Sequence, residues 1–412
     1  MSDDHPEVDS DSFLTSTLNK QNQLSEYKDP AGKVTKKNKT GYLPRGENMI
    51  AQYFFQTLIL SAAILLLLLA FSPATSAEES GKTPSPVMVN SVLGPIPADA
   101  LGTTLVHEHF AFGYPGWHAD ATMAPYDFEA ILKTNIGIIQ TAQKYGITTI
   151  IDATANDVGG RDPELYKALA RETGMNIICS TGLYTENEGS PVYFKMRQRR
   201  GVDISVMISE LFIKEITVGI GNSGVKAGVI KVATRGGGPL SPYETAVLKA
   251  AVIAQKATGV PIITHISGPV GGVEQAELFI KEGASPQKIM IGHVSNSRDI
   301  EYYRAILSKG VNIALDRIGM EFFNPTDNIV QHVASLCQEG YENRILLSHD
   351  TVGVWLGRPN VVPGKPTSNL MANSRIDYIS SVVIPKLKEK GVTEDQINTM
   401  MIHNPKNLFL SK

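Results

Sequence analysis

From Thr103 to Thr351 the chain alternates between two kinds of hydrophobic pattern. Eight short runs carry apolar residues at most positions: Thr103–Phe110, Thr148–Thr154, Asn176–Tyr184, Ala227–Thr234, Pro261–Ser267, Lys288–Ser295, Val311–Gly319 and Arg344–Thr351. Near-continuous runs of this length read as strands buried on both faces, the condition of a parallel sheet. Between them apolar positions recur at helical spacing, and helices are predicted at Pro163–Thr173, Ile204–Gly219, Pro242–Thr258, Gly272–Gly283, Asp299–Lys309 and Asn328–Gly340. Gly283 and Gly310 stand where a helix C-terminus favours the left-handed conformation. Strand and helix in turn, eight times over roughly 250 residues, predict an α/β fold of the (β/α)₈ TIM-barrel class. A doubly wound sheet would have fewer strands and a single ligand crevice.

The pattern changes upstream. Residues 1–48 are polar and aperiodic, which predicts a disordered tail. From Tyr53 to Phe71 runs an uncharged apolar stretch built around Leu65–Leu69, close to the ~20 residues a membrane span needs. Small residues ending at Ala77 follow, as at a signal-peptidase site. Residues 49–77 therefore read either as a signal peptide, with translation starting at Met49, or as a retained transmembrane anchor with Lys33, Lys36, Lys37, Lys39 and Arg45 on its cytoplasmic side. Both place the catalytic part outside the cytoplasm, periplasmic or extracellular. A linker at 78–90 then leads into a folded domain at 91–412.

Net charge is −3, which argues against a nucleic-acid partner and leaves membrane contact to the N-terminal segment. A homodimer is left open. The only two cysteines, Cys179 and Cys337, fall in apolar surroundings and are expected to be buried thiols.

Chemistry collects at the strand ends. In His107-Glu108-His109 the two histidines are two apart and share a strand face. His265 and His293 each follow an apolar run, where an imidazole needs a partner, and Asp350 closes the eighth run as Leu346-Leu-Ser-His-Asp350. An isolated buried carboxylate is costly, and five such groups on one end of one barrel point to bound divalent metal. Lys231 lies inside the fourth run, Val229-Ile-Lys-Val-Ala-Thr234. Burial lowers an amine's pKa, and a neutral amine can add carbon dioxide to form a carbamate able to bridge two metals. A salt-bridged lysine is the plainer alternative.

The strings GPIPADALGTTLVHEHF, AGVIKVAT, GVPIITHIS, IGHVSNSRD, ALDRIG, LLSHD and HNPKNLF, in order from Gly94 to Leu410, resemble the phosphotriesterase family of the amidohydrolase superfamily, most closely its lactonase branch. The resemblance implies that His107, His109 and Asp350 hold the more buried metal and His265 with His293 the more exposed one. Lys231, carboxylated by CO₂, and a hydroxide would bridge them. A related branch has Glu at the lysine position, so Lys231 points away from it. Two divalent ions ~3.5–4 Å apart would supply hydroxide and polarise the substrate oxygen, with Asp350 taking the proton. Histidine and carboxylate donors suit zinc; iron, cobalt or manganese remain compatible.

For substrate, Tyr184 matches the position where lactonases carry Tyr and dedicated phosphotriesterases Trp, and Arg317 matches the family's DRxG. The segment after Asp350 to Asn373, with Trp355, Leu356, Val361 and Val362, reads as an apolar lid. The expected activity is hydrolysis of lactones of the N-acyl homoserine type with secondary activity on organophosphate triesters. Alternatives are a dedicated phosphotriesterase, an aryl esterase, or a binding or receptor protein on an inactive barrel. Three motifs are set aside: the GxGxxG of Gly219–Gly224 follows a helix instead of a strand, Arg235–Pro239 lacks a P-loop's lysine and hydroxyl, and Arg197, Arg199 and Arg200 read as a solvated helix face.

Overall fold

A parallel sheet curls around a layer of inward-facing apolar residues. The computed structural model describes residues 86–120, 126–358 and 371–410. The expected disordered tail and the signal or anchor segment at 49–77 lie outside the described residues. Among the described residues no helix is long and apolar enough to cross a membrane.

The first strands, β1 (Met88–Ser91) and β2 (Gly94–Pro97), form an antiparallel hairpin, which starts inside the stretch expected to be linker. The curled sheet follows: β3 (Thr103–Phe112), β4 (Ile147–Asp152), β5 (Asn176–Leu183), β6 (Val229–Thr234), β7 (Ile262–Ile266), β8 (Ile289–Ile291), β9 (Asn312–Leu315), β10 (Ile345–Leu347) and β11 (Val352–Trp355). From β3 to β10 each strand pairs in parallel with the next, while β11 pairs with β3. Helices connect successive strands, giving a TIM-like α/β barrel.

The chain from β10 to β11 is one interrupted strand. Its first part pairs with β9 and its second with β3, and the joint itself is bonded to β3 by Asp350 N to His107 O (3.0 Å) and His109 N to Thr351 O (2.8 Å). The interior is a cluster with one residue from each of β3 to β10: Val106, Ile151, Ile178, Val229, Ile263, Met290, Ala314 and Leu346. Val89 from the hairpin, Leu101 from the turn before β3, and Leu408 and Phe409 from the C-terminal Asn404–Leu410 helix pack with it. That apolar plug leaves the C-terminal ends of the strands for polar side chains.

Most predicted strands shift by a residue or two, but β8, β9 and β10 are much shorter than the runs that announced them. The Phe128–Gln143 helix, capped by Asp127, was not expected. Elsewhere the pattern held: the Pro242–Thr258 helix begins with a reciprocal capping box of Ser241 and Glu244 and ends on left-handed Gly259. Cys179 and Cys337 are buried free thiols, as expected.

Candidate metal centre

The six predicted metal-site residues converge above the plug. A bulge in β3 contributes: the strand spends Leu105 to Glu108 where β4 spends Ile150 to Asp152. Val106 can therefore join the inner core while His107, the next residue, also reaches the inner site. His109, Lys231 and His265 sit on β3, β6 and β7 as expected.

His293 and Asp350 do not end strands. Each lies just past one, in the left-handed region (φ 54° and 57°), and among the described residues they are the only non-glycines there. That conformation costs about 1–2 kcal/mol for an L-residue, so something must hold it. His293 N donates to Asp316 Oδ1 at 2.6 Å. Around Asp350 the clamp is Glu108, whose Oε1 accepts from His349 N (2.9 Å) and Ser348 Oγ (2.8 Å), and whose Oε2 accepts from Thr351 N (2.7 Å). Glu108 thus fixes the turn that aims Asp350, using the face of β3 opposite its neighbouring histidines.

The donor atoms are close. Lys231 Nζ lies 2.6 Å from His107 Nε2, and Asp350 Oδ1 lies 3.1 Å from His109 Nε2 and 3.6 Å from His107 Nε2. On the other side His293 Nε2 is 2.8 Å from His265 Nδ1 and 3.6 Å from Asp350 Oδ2. The two oxygens of Asp350 thus face two donor groups. His107, His109 and Asp350 form one three-residue set with metal-ligand spacing. His107, His293 and Asp316 form another by distance alone. Asp316, however, touches the Nδ1 atoms of both imidazoles (2.6 and 3.0 Å), which makes it their orienting hydrogen-bond acceptor and leaves both Nε2 atoms for a metal. His109 Nδ1 is fixed by Thr154 Oγ1 at 2.8 Å.

Electrostatics keep these groups in ligand form. Burial and the Lys231 charge push His107 down, burial and His293 push His265 well down, and burial with Arg317 takes His293 to about 3. All three are neutral near pH 7, as metal binding requires. Burial lowers Lys231 to about 8, within reach of a neutral amine. Burial alone would raise Asp350 and Asp316. His293, His109 and Arg317 outweigh it at Asp350, and His293 and His107 at Asp316, so both stay ionised. Buried neutral imidazoles, the ionised Asp350 carboxylate and an amine with lowered pKa are a donor set that fits divalent cations.

A cavity of about 180 Å³ opens onto this cluster, lined by His109, Tyr184, His265, Arg317 and Asp350 on the polar side and by Phe112, Tyr114, Met320, Phe322, Phe323 and Trp355 on the apolar side. Tyr184 OH is 3.5 Å from His265 Nε2, and its ring meets Phe112 edge-on. Arg317 does not pair with Asp316. Its Nε donates to Asp350 Oδ2 at 2.9 Å, its Nη1 to Asn296 Oδ1 at 3.3 Å, and its guanidinium lies over the Phe323 ring. Trp355 stacks on Tyr114 and meets Phe112 edge-on at the rim of the cavity, 37% exposed. Val361 and Val362 of the expected lid lie outside the described residues. Glu108 and Asp316 were overlooked as functional positions, although a carboxylate flanked by two candidate ligands and a second one inside an apolar run both announce buried charge in need of partners.

A site of this kind at the mouth of an α/β barrel is that of a metal-dependent hydrolase. Residues 87–409 match the model of the Phosphotriesterase family, and the chain belongs to that family, whose members use a binuclear metal centre. An aryldialkylphosphatase of Saccharolobus solfataricus is 33% identical over 317 residues, covering 75% of this chain and 95% of that protein. Among solved structures, an organophosphorus hydrolase of Deinococcus radiodurans superposes with a TM-score of 0.76 at 39% identity, covering 80% of this chain and all of the other. A mutant phosphotriesterase-like lactonase from the same organism gives 0.75 at 38% identity, covering 78% and 99%.

Proposed function

We propose that this chain hydrolyses lactones of the N-acyl homoserine type and turns over organophosphate triesters as secondary substrates. The observation that carries this is the pairing of a buried phenol, Tyr184, with a guanidinium, Arg317, across a small cavity whose remaining wall is largely aromatic. Phenol and guanidinium are donors suited to a carbonyl or ring oxygen, and the aromatic wall suits an acyl chain. Similarity to a lactonase structure supports the same reading. The aryldialkylphosphatase relative favours a second one, a dedicated phosphotriesterase.

His107, His109 and Asp350 would hold one divalent ion and His265 with His293 a second, with Lys231, as its carbamate, shared between them. Zinc fits these donors best, and iron, cobalt and manganese are compatible with them. Two such ions would lower the pKa of water and polarise the substrate oxygen. Asp316 keeps His107 and His293 in the tautomer that offers Nε2. Asp350 holds its carboxylate toward the substrate side, where Arg317 neutralises it. Tyr184 and Arg317 then orient the ester. Eight β/α units closed into a full barrel is the architecture proposed, supported by one inner residue from each of eight strands.

Tyr184→Phe and Arg317→Ala should each lower lactone kcat/KM by about 10-fold more than phosphotriester kcat/KM, because one lost oriented hydrogen bond is worth about 1–2 kcal/mol. The measurement is both substrates on one metal-loaded preparation, with metal content checked. Equal losses would remove the support for lactones and leave the phosphotriesterase reading. No stoichiometric metal and no turnover would favour a binding protein.

We also propose that residues 49–77 export the catalytic domain, either cleaved near Glu78 or retained as an anchor, on the strength of the uncharged run from Tyr53 to Phe71. A reporter fused after Phe110 is expected to be active outside the cytoplasm, and activity confined to the cytoplasm would defeat this. The mature N-terminus distinguishes cleavage from anchoring.

A further inference from the structure

The loop that follows β5 carries Tyr184 into the cavity, and one side chain from the neighbouring loop closes it at both ends. Asp157, in the segment after β4, accepts a hydrogen bond from Tyr184 N on Oδ1 at 2.7 Å and from Ser190 N on Oδ2 at 3.0 Å. Between those points the chain turns on itself through Gly189 N to Thr185 O (2.8 Å) and Glu188 N to Thr185 Oγ1 (3.1 Å). The fit is close enough that a Cβ on Gly189 would collide with Asp157 Oδ2.

The base of this clamp is itself fixed. Asn156 exchanges hydrogen bonds with Gly182, its N donating to Gly182 O and its Oδ1 accepting from Gly182 N, each at 2.9 Å. Its Nδ2 donates to Glu215, which is ion-paired with Arg161. Ala155 and Val158, on either side of the Asn156–Asp157 pair, pack with Phe112 and Tyr184 in one apolar cluster. The same short segment therefore grips the Tyr184 backbone by hydrogen bonds and its ring by contact. Among the described residues no cation lies within ion-pair distance of Asp157, and burial pushes its carboxyl up. Two main-chain N–H groups of the Tyr184 loop are its partners, so its carboxylate serves that loop.

We propose that Asp157 is a positioning residue which sets the Tyr184 phenol over the cavity and so governs preference between lactones and phosphotriesters. This rests on the lactonase reading given above. An amide at this position keeps one acceptor but presents an N–H₂ to a backbone N–H, so Asp157→Asn releases one end of the loop while preserving volume. Asp157→Ala releases both.

The test uses the full, metal-loaded chain with an N-acyl homoserine lactone and an aryl dialkyl phosphate. Asp157→Asn is expected to lower lactone kcat/KM about 10-fold, mostly in kcat, and phosphotriester kcat/KM by less than about 3-fold, with metal content unchanged. In a Tyr184→Phe background the same change should cost less than about 2-fold, because the group it positions is already gone. Equal losses on both substrates, or an undiminished loss in the Tyr184→Phe background, would overturn the proposal. If the unsubstituted enzyme opens no lactone, the functional reading fails by itself. Positioning is then judged from the crystal structure of Asp157→Asn: a displaced Tyr184 hydroxyl supports it, and one still 3.5 Å from His265 Nε2 overturns it. Should Asp157→Ala fail to fold, Asp157→Asn carries the test.

Discussion

Lys231→Ala should abolish the paired metal site and lower kcat/KM by about 10³-fold or more, since the ions supply several kcal/mol of transition-state stabilisation at ~1.4 kcal/mol per decade. The expectation follows from where the amine sits. Lys231 is 1% exposed, its Nζ is 2.6 Å from His107 Nε2, and the carboxylates that act on it most, Asp350 and Asp316, are committed elsewhere, to Arg317 and to two imidazoles. A lysine kept only for a salt bridge would have a carboxylate beside it. With its pKa lowered to about 8, about a tenth is neutral at pH 7 and able to add CO₂, releasing a proton and leaving a carbamate that supplies two oxygens. The alanine variant should bind fewer than two metals per chain, and short carboxylic acids should partly restore metal and turnover by entering the vacated space. Elemental analysis and activity with and without acetate check both statements. Full metal content and ordinary activity in Lys231→Ala would rule out the bridging role.

The curled parallel sheet and the polar cluster at its C-terminal ends were legible in the sequence because both are written in local pattern. Continuous apolar runs announced buried strands, and polar residues in or at the ends of five of the eight runs announced the site. Legibility stopped where geometry departs from regular strands. His293 and Asp350 look like strand termini because apolar residues lead up to them, yet both occupy left-handed positions paid for by Asp316 and Glu108, carboxylates distant in sequence from at least one group they hold. Nothing in local periodicity reports such a bond. The same holds for Arg317, which is next to Asp316 in sequence but does not pair with it. Asp316 faces the imidazoles, and Arg317 reaches Asp350 across the mouth of the barrel. The Phe128–Gln143 helix was hidden by its composition: Gly137 and β-branched Thr and Ile weaken its propensity, and only packing of its Ile131 and Ile139 face on the barrel settles the matter.

Asp316→Asn should impair both metal positions at once, lowering metal affinity by about 10–100-fold at each and catalysis with it. One fully buried carboxylate accepts from His107 Nδ1 at 2.6 Å and His293 Nδ1 at 3.0 Å, and these two imidazoles belong to different donor groups. An ionised carboxylate can only accept, so both histidines carry their proton on Nδ1 and offer the Nε2 lone pair. Asparagine presents one accepting oxygen and one donating N–H₂. Whichever way the amide turns, at least one ring meets a donor, takes the opposite tautomer and places a proton on the nitrogen that should bind metal. If the amide nitrogen takes the Oδ1 position, His293 N, which now donates to that oxygen at 2.6 Å, loses its acceptor too, loosening the left-handed turn that aims the ring. Zinc titration against a competing chelator measures the loss, and circular dichroism separates it from unfolding. A folded Asp316→Asn variant with undiminished affinity for both ions would show that ring orientation is set by packing, with no requirement for this carboxylate.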